Sequence, residues 1–133
     1  MDEVIKNPAI AAVTLTGSTP AGKSVAKTAG SVLKKTVLEL GGSDPYVVLD
    51  DADMDVALDA CISGRLLNAG QSCIAAKRLI VTENIHDEFL TKLEQKLSEK
   101  IMGDPMDDVD MGPMVSIGAR DEVHDQVLRS IDE

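Results

Sequence analysis

The chain has 133 residues, the length of one domain or part of one, with 13 lysines and arginines against 23 aspartates and glutamates. A formal charge of −10 argues against a nucleic-acid partner, because binding phosphates requires clustered cations. The apolar fraction of 44% is that of a globular protein, and no apolar run approaches the roughly 18 residues that cross a membrane.

The first half of the chain alternates between strand-like and helix-like segments. A β-branched run at 13–16 predicts a buried strand, and Pro20 favours the first turn of a helix that ends near residue 29. Apolar residues at 33–40 predict a second strand that closes at two glycines. A third strand is predicted at 46–49.

The second half continues the alternation. Asp53 can cap a helix over 53–67, which is followed by a polar loop at 68–73 and a fourth strand at 79–82. The best amphipathic pattern runs over 85–102, and a last helix is predicted at 117–131, with its apolar face formed by Val123, Val127, Leu128 and Ile131. This order is typical of an α/β protein with a largely parallel sheet.

A glycine-rich turn connects the first strand to the first helix. Residues 17–24 fit the phosphate-loop pattern G-x4-G-K-[ST], and Asp50 follows a strand as a magnesium-binding aspartate would. Backbone N–H groups and the positive end of a helix suit an anion, which could be a nucleotide triphosphate or the pyrophosphate of a dinucleotide. A tight strand-to-helix turn with no ligand is the plain structural alternative.

Two other motifs carry reactive side chains. The segment Leu38-Glu39-Leu40-Gly41-Gly42 places one carboxylate at an apolar strand end, where burial would raise its pKa toward that of a general base. The loop that ends in Gly70-Gln71-Ser72-Cys73 presents a thiol beside a glycine, which lets the backbone turn sharply and aim N–H groups at a carbonyl oxygen.

Together these motifs resemble the NAD(P)-dependent aldehyde dehydrogenases. The turn at 17–22, the Glu39 segment and the Cys73 segment occur in the family's order, and Glu39 and Cys73 lie 34 positions apart (73 minus 39). The similarity covers nearly the whole chain, but only the middle of the family's longer chain. Within the family, the segments 42–45, 112–114 and 120–124 resemble those of bacterial succinate-semialdehyde dehydrogenases. Many members of the family have a phenylalanine at the position of Leu15 and a lysine at the position of Ser43, and neither change removes a reacting group.

The resemblance implies a fold and a set of roles. Residues 1–40 would be the C-terminal part of a Rossmann-like dinucleotide-binding domain, and residues 41–133 the start of the α/β catalytic domain. Cys73 would be the nucleophile and Glu39 the base that activates water. NAD or NADP would be bound by a set of turn and strand-end residues: Gly17, Ser18, Thr19, Gly22, Leu40 and Gly41. The substrate would be a small aldehyde, the full-length form a homo-oligomer, and the 133-residue chain alone inactive.

Two other functions stay open at this point: a phosphate-loop nucleotide hydrolase that uses the turn at 17–24, and a truncated product without catalysis. Cys61 lies on the apolar face of its helix and is interpreted as a buried, inert thiol. The remaining histidines and aspartates lack the spacing of a metal site, so no metal is expected. Two cysteines and an acidic N-terminus without a secretory signal predict a reducing, cytoplasmic setting.

Overall fold

The computed structural model describes residues 1–132. The chain forms two compact units, Met1–Gly42 and Ser43–Glu133, which are described here one at a time.

The first unit is a strand–helix–strand motif preceded by a short helix. Its elements are α1 (Asp2–Lys6), β1 (Ala12–Thr16), α2 (Thr19–Gly30) and β2 (Lys35–Glu39). Strands β1 and β2 pair in parallel, with Thr16 opposite Glu39, so α2 makes the crossover that parallel strands require. Ile5, Val25 and Ala29 are buried between these elements.

Two features of this unit differ from the prediction. Helix α1 has too few residues to show an amphipathic period, but Ile5 is 3% exposed and the Lys34 ammonium donates a hydrogen bond to its carbonyl oxygen at 2.6 Å. The second strand begins at Lys35 rather than at residue 33. Leu33 is 94% exposed with a φ of 55°, because the chain reverses direction there after α2.

The second unit repeats the strand–helix–strand motif and adds two helices. Its regular elements are β3 (Asp44–Val48), α3 (Met54–Leu66), β4 (Ala76–Val81), α4 (His86–Ser98) and α5 (Ile117–Asp132). Short 3₁₀ turns, Leu67–Gly70 and Glu83–Ile85, follow α3 and precede α4. Strands β3 and β4 are parallel, and their core is formed by Val48, Leu58, Cys61 and Phe89.

The predicted helix over 85–102 is too long at its C-terminal end. Helix α4 ends at Ser98, and Ile101 is 59% exposed beyond it. The Asp110 carboxylate accepts hydrogen bonds from the Ile101 N–H at 2.9 Å and the Lys100 ammonium at 2.8 Å, so a side chain from the following loop replaces another helical turn. The helix predicted at 117–131 is present as α5, but its apolar face is exposed rather than buried.

The α/β class is confirmed, since each unit contains a parallel strand pair joined by a helix. These pairs form two separate two-stranded sheets among the described residues, rather than one extended sheet. Within residues 1–132, no helix is both long enough and apolar enough to cross a membrane.

Candidate active site

The turn between β1 and α2 is shaped by its own sequence. Ser18 is the N-cap of α2, and its hydroxyl accepts a hydrogen bond from the Ala21 N–H at 3.4 Å. Pro20 occupies the first turn of the helix, where its missing N–H costs nothing. The first turn therefore presents backbone N–H groups and the positive end of a 12-residue helix at an exposed surface.

The parallel pairing brings the Glu39 segment to this turn. The Gly17 N–H donates a hydrogen bond to the Glu39 carbonyl oxygen at 2.9 Å. The next residue, Leu40, packs over Gly22, where an added Cβ would lie 2.6 Å from a Leu40 methyl carbon. Six of the predicted site residues thus lie close together in the first unit: Gly17, Ser18, Thr19, Gly22, Glu39 and Leu40.

The burial expected for Glu39 is not observed. Its side chain is exposed at the end of β2, where alternate residues of the strand point to solvent. The sequence reasoning treated the apolar neighbours Leu38 and Leu40 as evidence for a buried carboxylate. Those two residues are half-buried on the opposite face, because successive side chains of a strand alternate.

The Cys73 loop, defined here as residues 67–75, follows directly from the C-terminus of α3. Asn68, Ala69 and Gly70 all have left-handed backbone angles, with φ values of 51°, 54° and 74°. Only the glycine among them adopts this region without strain. Cys73 is exposed at the end of this turn, and among the described residues its N–H donates no hydrogen bond.

The two thiols lie in opposite environments. Cys61 is buried on α3, and burial raises its pKa because the thiolate would lose its hydration. It therefore behaves as a small apolar residue of the core, as its helical spacing predicts. Cys73 is the solvent-accessible thiol of the pair, which is what a nucleophile needs.

Side-chain hydrogen bonds support the Cys73 loop from two directions. The Gln71 amide contacts the Asn68 carbonyl oxygen and the distant Val115 N–H, and the Lys77 ammonium contacts the carbonyl oxygens of Ser72 and Cys73. The sequence predicts that Gln71 lies in the loop, but no sequence pattern predicts the contacts of Gln71 or Lys77. The hydrogen bond between Gln71 and Val115 joins residues 44 positions apart, and no local sequence pattern predicts a contact over that separation.

A comparison with known protein families shows to which family the chain belongs. The model of the aldehyde dehydrogenase family matches residues 1–133. The chain belongs to the aldehyde dehydrogenase family. The resemblance stated from the motifs is thereby confirmed.

Similar proteins agree with this assignment. The chain is 48% identical over 128 residues to a protein of Mycobacterium tuberculosis named succinate-semialdehyde dehydrogenase NADP(+) 1, covering 96% of this chain and 28% of that protein. It is 49% identical over 134 residues to the succinate-semialdehyde dehydrogenase NADP(+) of Deinococcus radiodurans, covering 100% and 28%. A salicylaldehyde dehydrogenase structure from Pseudomonas putida G7 superposes with a TM-score of 0.94 at 38% identity, covering 98% and 28%. The chain thus spans about 28% of the length of these aldehyde dehydrogenases.

Asp50 makes side-chain contacts just after the end of β3. Its carboxylate accepts hydrogen bonds from the Thr82 hydroxyl and the Asn84 amide, which together hold its pKa below the ordinary value. It also follows β3, which pairs with β4, whereas the glycine-rich turn follows β1. Membership of the aldehyde dehydrogenase family rules out the phosphate-loop hydrolase interpretation.

The other polar residues considered from sequence have ordinary structural roles. The Asp53 carboxylate accepts hydrogen bonds from the N–H groups of Asp55 and Val56 and caps α3 as predicted. His86 contacts the neighbouring Asp87 at the exposed start of α4, and His124 is exposed on α5. In the part of the chain that the structure describes, no cluster of three histidine, cysteine or acidic side chains could hold a metal ion.

Proposed function

We propose that this protein contributes the nucleophile, the base and part of the cofactor site to an NAD(P)-dependent oxidation of an aldehyde to a carboxylic acid. The observation that supports this most directly is the exposed thiol of Cys73, which follows a left-handed turn and has a backbone N–H free of partners among residues 1–132. A thiol beside an unengaged N–H is the arrangement that acyl transfer through a thioester requires.

The proposed reaction begins at Cys73. Its thiolate forms a bond to the aldehyde carbon, and the carbonyl π electrons move to the oxygen, which accepts a hydrogen bond from the Cys73 N–H. Loss of a hydride from that carbon restores the C=O bond and leaves a thioester. A water molecule then attacks the thioester, its proton passes to the Glu39 carboxylate, and the C–S bond breaks to release the acid and the thiolate.

The turn at 17–22 fits the pyrophosphate of a dinucleotide. The chemistry that NAD or NADP supplies when bound is acceptance of the hydride. Ser18 and Thr19 offer backbone N–H groups at the start of α2, where an anion is favoured, whereas the Gly17 N–H is used in the hydrogen bond to the Glu39 carbonyl oxygen and Gly17 contributes the tight turn. Gly22 acts indirectly, since it allows Leu40 to lie against α2, and Leu40 with Gly41 would line the nicotinamide side.

Each of the two domain segments expected from the sequence has its own proposed task. We assign cofactor binding to residues 1–40 and the chemistry of the thioester to residues 41–133, with Glu39 contributed from the end of the first segment. The exposed free thiol is consistent with a reducing compartment, and we propose the cytoplasm.

The names of the relatives suggest the substrate and the cofactor. The proteins of Mycobacterium tuberculosis and Deinococcus radiodurans are both named as NADP(+) succinate-semialdehyde dehydrogenases. We propose succinate semialdehyde as the aldehyde and NADP or NAD as the oxidant. Direct comparison of succinate semialdehyde with salicylaldehyde, each with NAD and with NADP, would test both assignments.

The decisive experiment uses the longest reading frame that contains these residues, with the 133-residue chain measured beside it. Cys73→Ser should lower the formation of reduced cofactor at least about 10³-fold, and Cys61→Ala, the matched control at the buried thiol, should not. Glu39→Gln should permit one rapid turnover and then slow the steady state by about 10²–10³-fold. We expect no turnover by the 133-residue chain alone. Full activity of Cys73→Ser would refute the proposal.

A further inference from the structure

We propose that Gln71 and Lys77 are positioning residues that hold the backbone of Cys73 in its reactive orientation. The inference rests on the proposed function, because it gives Cys73 the role of nucleophile. It adds to the proposed function a positioning role for two residues that act through Cys73 and not through the substrate. Gln71 supports the backbone on the N-terminal side of Cys73, and Lys77 reaches back to Cys73 from its C-terminal side.

Gln71 connects the left-handed turn to a distant loop through one side chain. Its Nε2 donates a hydrogen bond to the Asn68 carbonyl oxygen at 3.3 Å, and its Oε1 accepts one from the Val115 N–H at 2.9 Å. Both ends of the amide are therefore used. Left-handed geometry is unfavourable at Asn68 and more so at Ala69, so contacts from outside the turn are needed to maintain it.

The Gln71–Val115 hydrogen bond joins segments that are separated by open space. Asn68, Ala69 and Gln71 form one wall of a groove of about 480 Å³, and residues 111–115 form the opposite wall. The groove is open to solvent, so a direct hydrogen bond between residues on its two sides is a specific link between them. The hydrogen bond from one wall to the other is then the specific contact that sets their spacing.

Lys77 acts on the other side of the thiol. Its ammonium group donates hydrogen bonds to the carbonyl oxygens of Ser72 at 2.9 Å and Cys73 at 3.1 Å. Its own backbone is anchored, because it follows the fully buried Ala75 and Ala76 at the start of β4. A cation anchored next to two buried alanines therefore fixes the orientation of the Cys73 peptide group, and charge assistance strengthens both contacts.

The roles of the two residues can be tested with substitutions that keep the size of the side chain and remove its hydrogen-bond donor. Gln71→Glu keeps the acceptor for Val115 but cannot donate to Asn68. Lys77→Met keeps the length of the side chain and removes the donor, and Lys77→Arg restores it. Lys27→Met, on the exposed face of α2, is the matched control for loss of a lysine charge.

The first measurement is amide hydrogen exchange over residues 68–75 of the 133-residue chain. Gln71→Glu removes one hydrogen bond of about 1 kcal/mol and should speed exchange there by about fivefold, and Lys77→Met removes two and should speed exchange by at least about tenfold. Lys77→Arg and Lys27→Met should match the parent chain. Unchanged exchange in both Gln71→Glu and Lys77→Met would overturn the inference.

The second measurement is steady-state kinetics in the longest reading frame that contains these residues. Loss of positioning should lower kcat at least about tenfold while KM for the aldehyde stays within about twofold, because the substrate does not contact either residue. Faster exchange with unchanged kcat would overturn the inference, since the contacts would then serve the loop and not the reaction. An active Cys73→Ser protein would instead refute the proposed function itself, so the two failures are distinguishable.

Discussion

The turn at 17–22 and the Cys73 loop both present candidate chemistry, but different kinds of contact hold them. The turn depends on neighbours in sequence, namely the Ser18 cap and Pro20, and on the close approach of Leu40 to Gly22. The Cys73 loop contains three left-handed residues and is held by side chains that reach across it, one of them to Val115.

This difference separates two ways of building a site. A helix N-terminus is formed wherever a cap and a helical sequence follow a strand, so its geometry is largely local. A loop with strained backbone angles persists only where surrounding contacts determine it more strongly than its own preferences do. We therefore expect substitutions at the left-handed residues of the Cys73 loop to have larger effects on stability than substitutions in the turn at 17–22.

The largest expected effect is that of Gly70→Ala. Gly70 has a φ of 74°, and an added Cβ would lie 2.7 Å from an Arg65 guanidinium nitrogen and 3.2 Å from the Arg65 carbonyl oxygen. The left-handed angle alone should cost about 1–2 kcal/mol in the free energy of unfolding, measured by urea denaturation. Ala69→Gly, at a φ of 54°, should instead raise the free energy of unfolding by a few tenths of a kcal/mol, because glycine adopts this angle without strain. Equal effects of the two would show that the left-handed turn is not strained.

Gly22→Ala should destabilise the first unit by about 1 kcal/mol, because its Cβ would overlap a Leu40 methyl group that can turn away in part. When Gly22→Ala is combined with Leu40→Ala, the loss in free energy of unfolding should be smaller than the sum of the losses in the two single variants. Gly30→Ala is the matched control in the same helix, since nothing lies within 4 Å of its added Cβ. A shift of the urea midpoint at Gly30 equal to that at Gly22 would contradict the packing argument.

The helix caps of the two units should differ in strength. Ser18 makes one capping hydrogen bond of 3.4 Å, whereas the Asp53 carboxylate accepts two of 3.1 Å. Ser18→Ala should therefore cost about 0.5 kcal/mol and Asp53→Ala about 1 kcal/mol in the free energy of unfolding. The reverse order in thermal denaturation would show that the proline at the start of α2 is not enough to support that helix.

Acid should affect the second unit before the first, with the smallest effect of the four. Hydrogen bonds from the Ile101 N–H and the Lys100 ammonium lower the pKa of Asp110, and those from Thr82 and Asn84 lower that of Asp50. A lowered folded-state pKa contributes stability above the ordinary carboxyl pKa and loses it as the pH falls through the folded value. The protection of amides near residues 101–115, expressed relative to their intrinsic exchange rates, should therefore fall below about pH 4, and Asp110→Asn should abolish that fall. Acid-induced exchange that begins in the turn at 17–22 would contradict this.

Much of the secondary structure could be predicted because it has local causes. The four strands, the Asp53 cap and the helices α2 and α3 follow from β-branched runs, capping residues and apolar spacing. The missed elements lack such causes. Helix α1 is held by the burial of Ile5, and α4 ends early because Asp110 binds the Ile101 N–H.

The candidate site divides in the same way. The motifs around Ser18, Glu39 and Cys73 were recognisable, and the parallel register of β1 and β2 placed Glu39 beside Gly17. The exposure of Glu39 was predicted wrongly, because two apolar neighbours do not say which face of a strand is buried.

By itself the sequence determined the order of strands and helices, the family and the reactive residue types, since these depend on composition and on contacts a few positions apart. Only the tertiary structure decided that Leu40 closes over Gly22, that Glu39 is exposed, and that Gln71 reaches Val115. The physical reason is that hydrogen bonds and burial between distant segments depend on where the folded backbone brings them, and a linear pattern contains no distance in space.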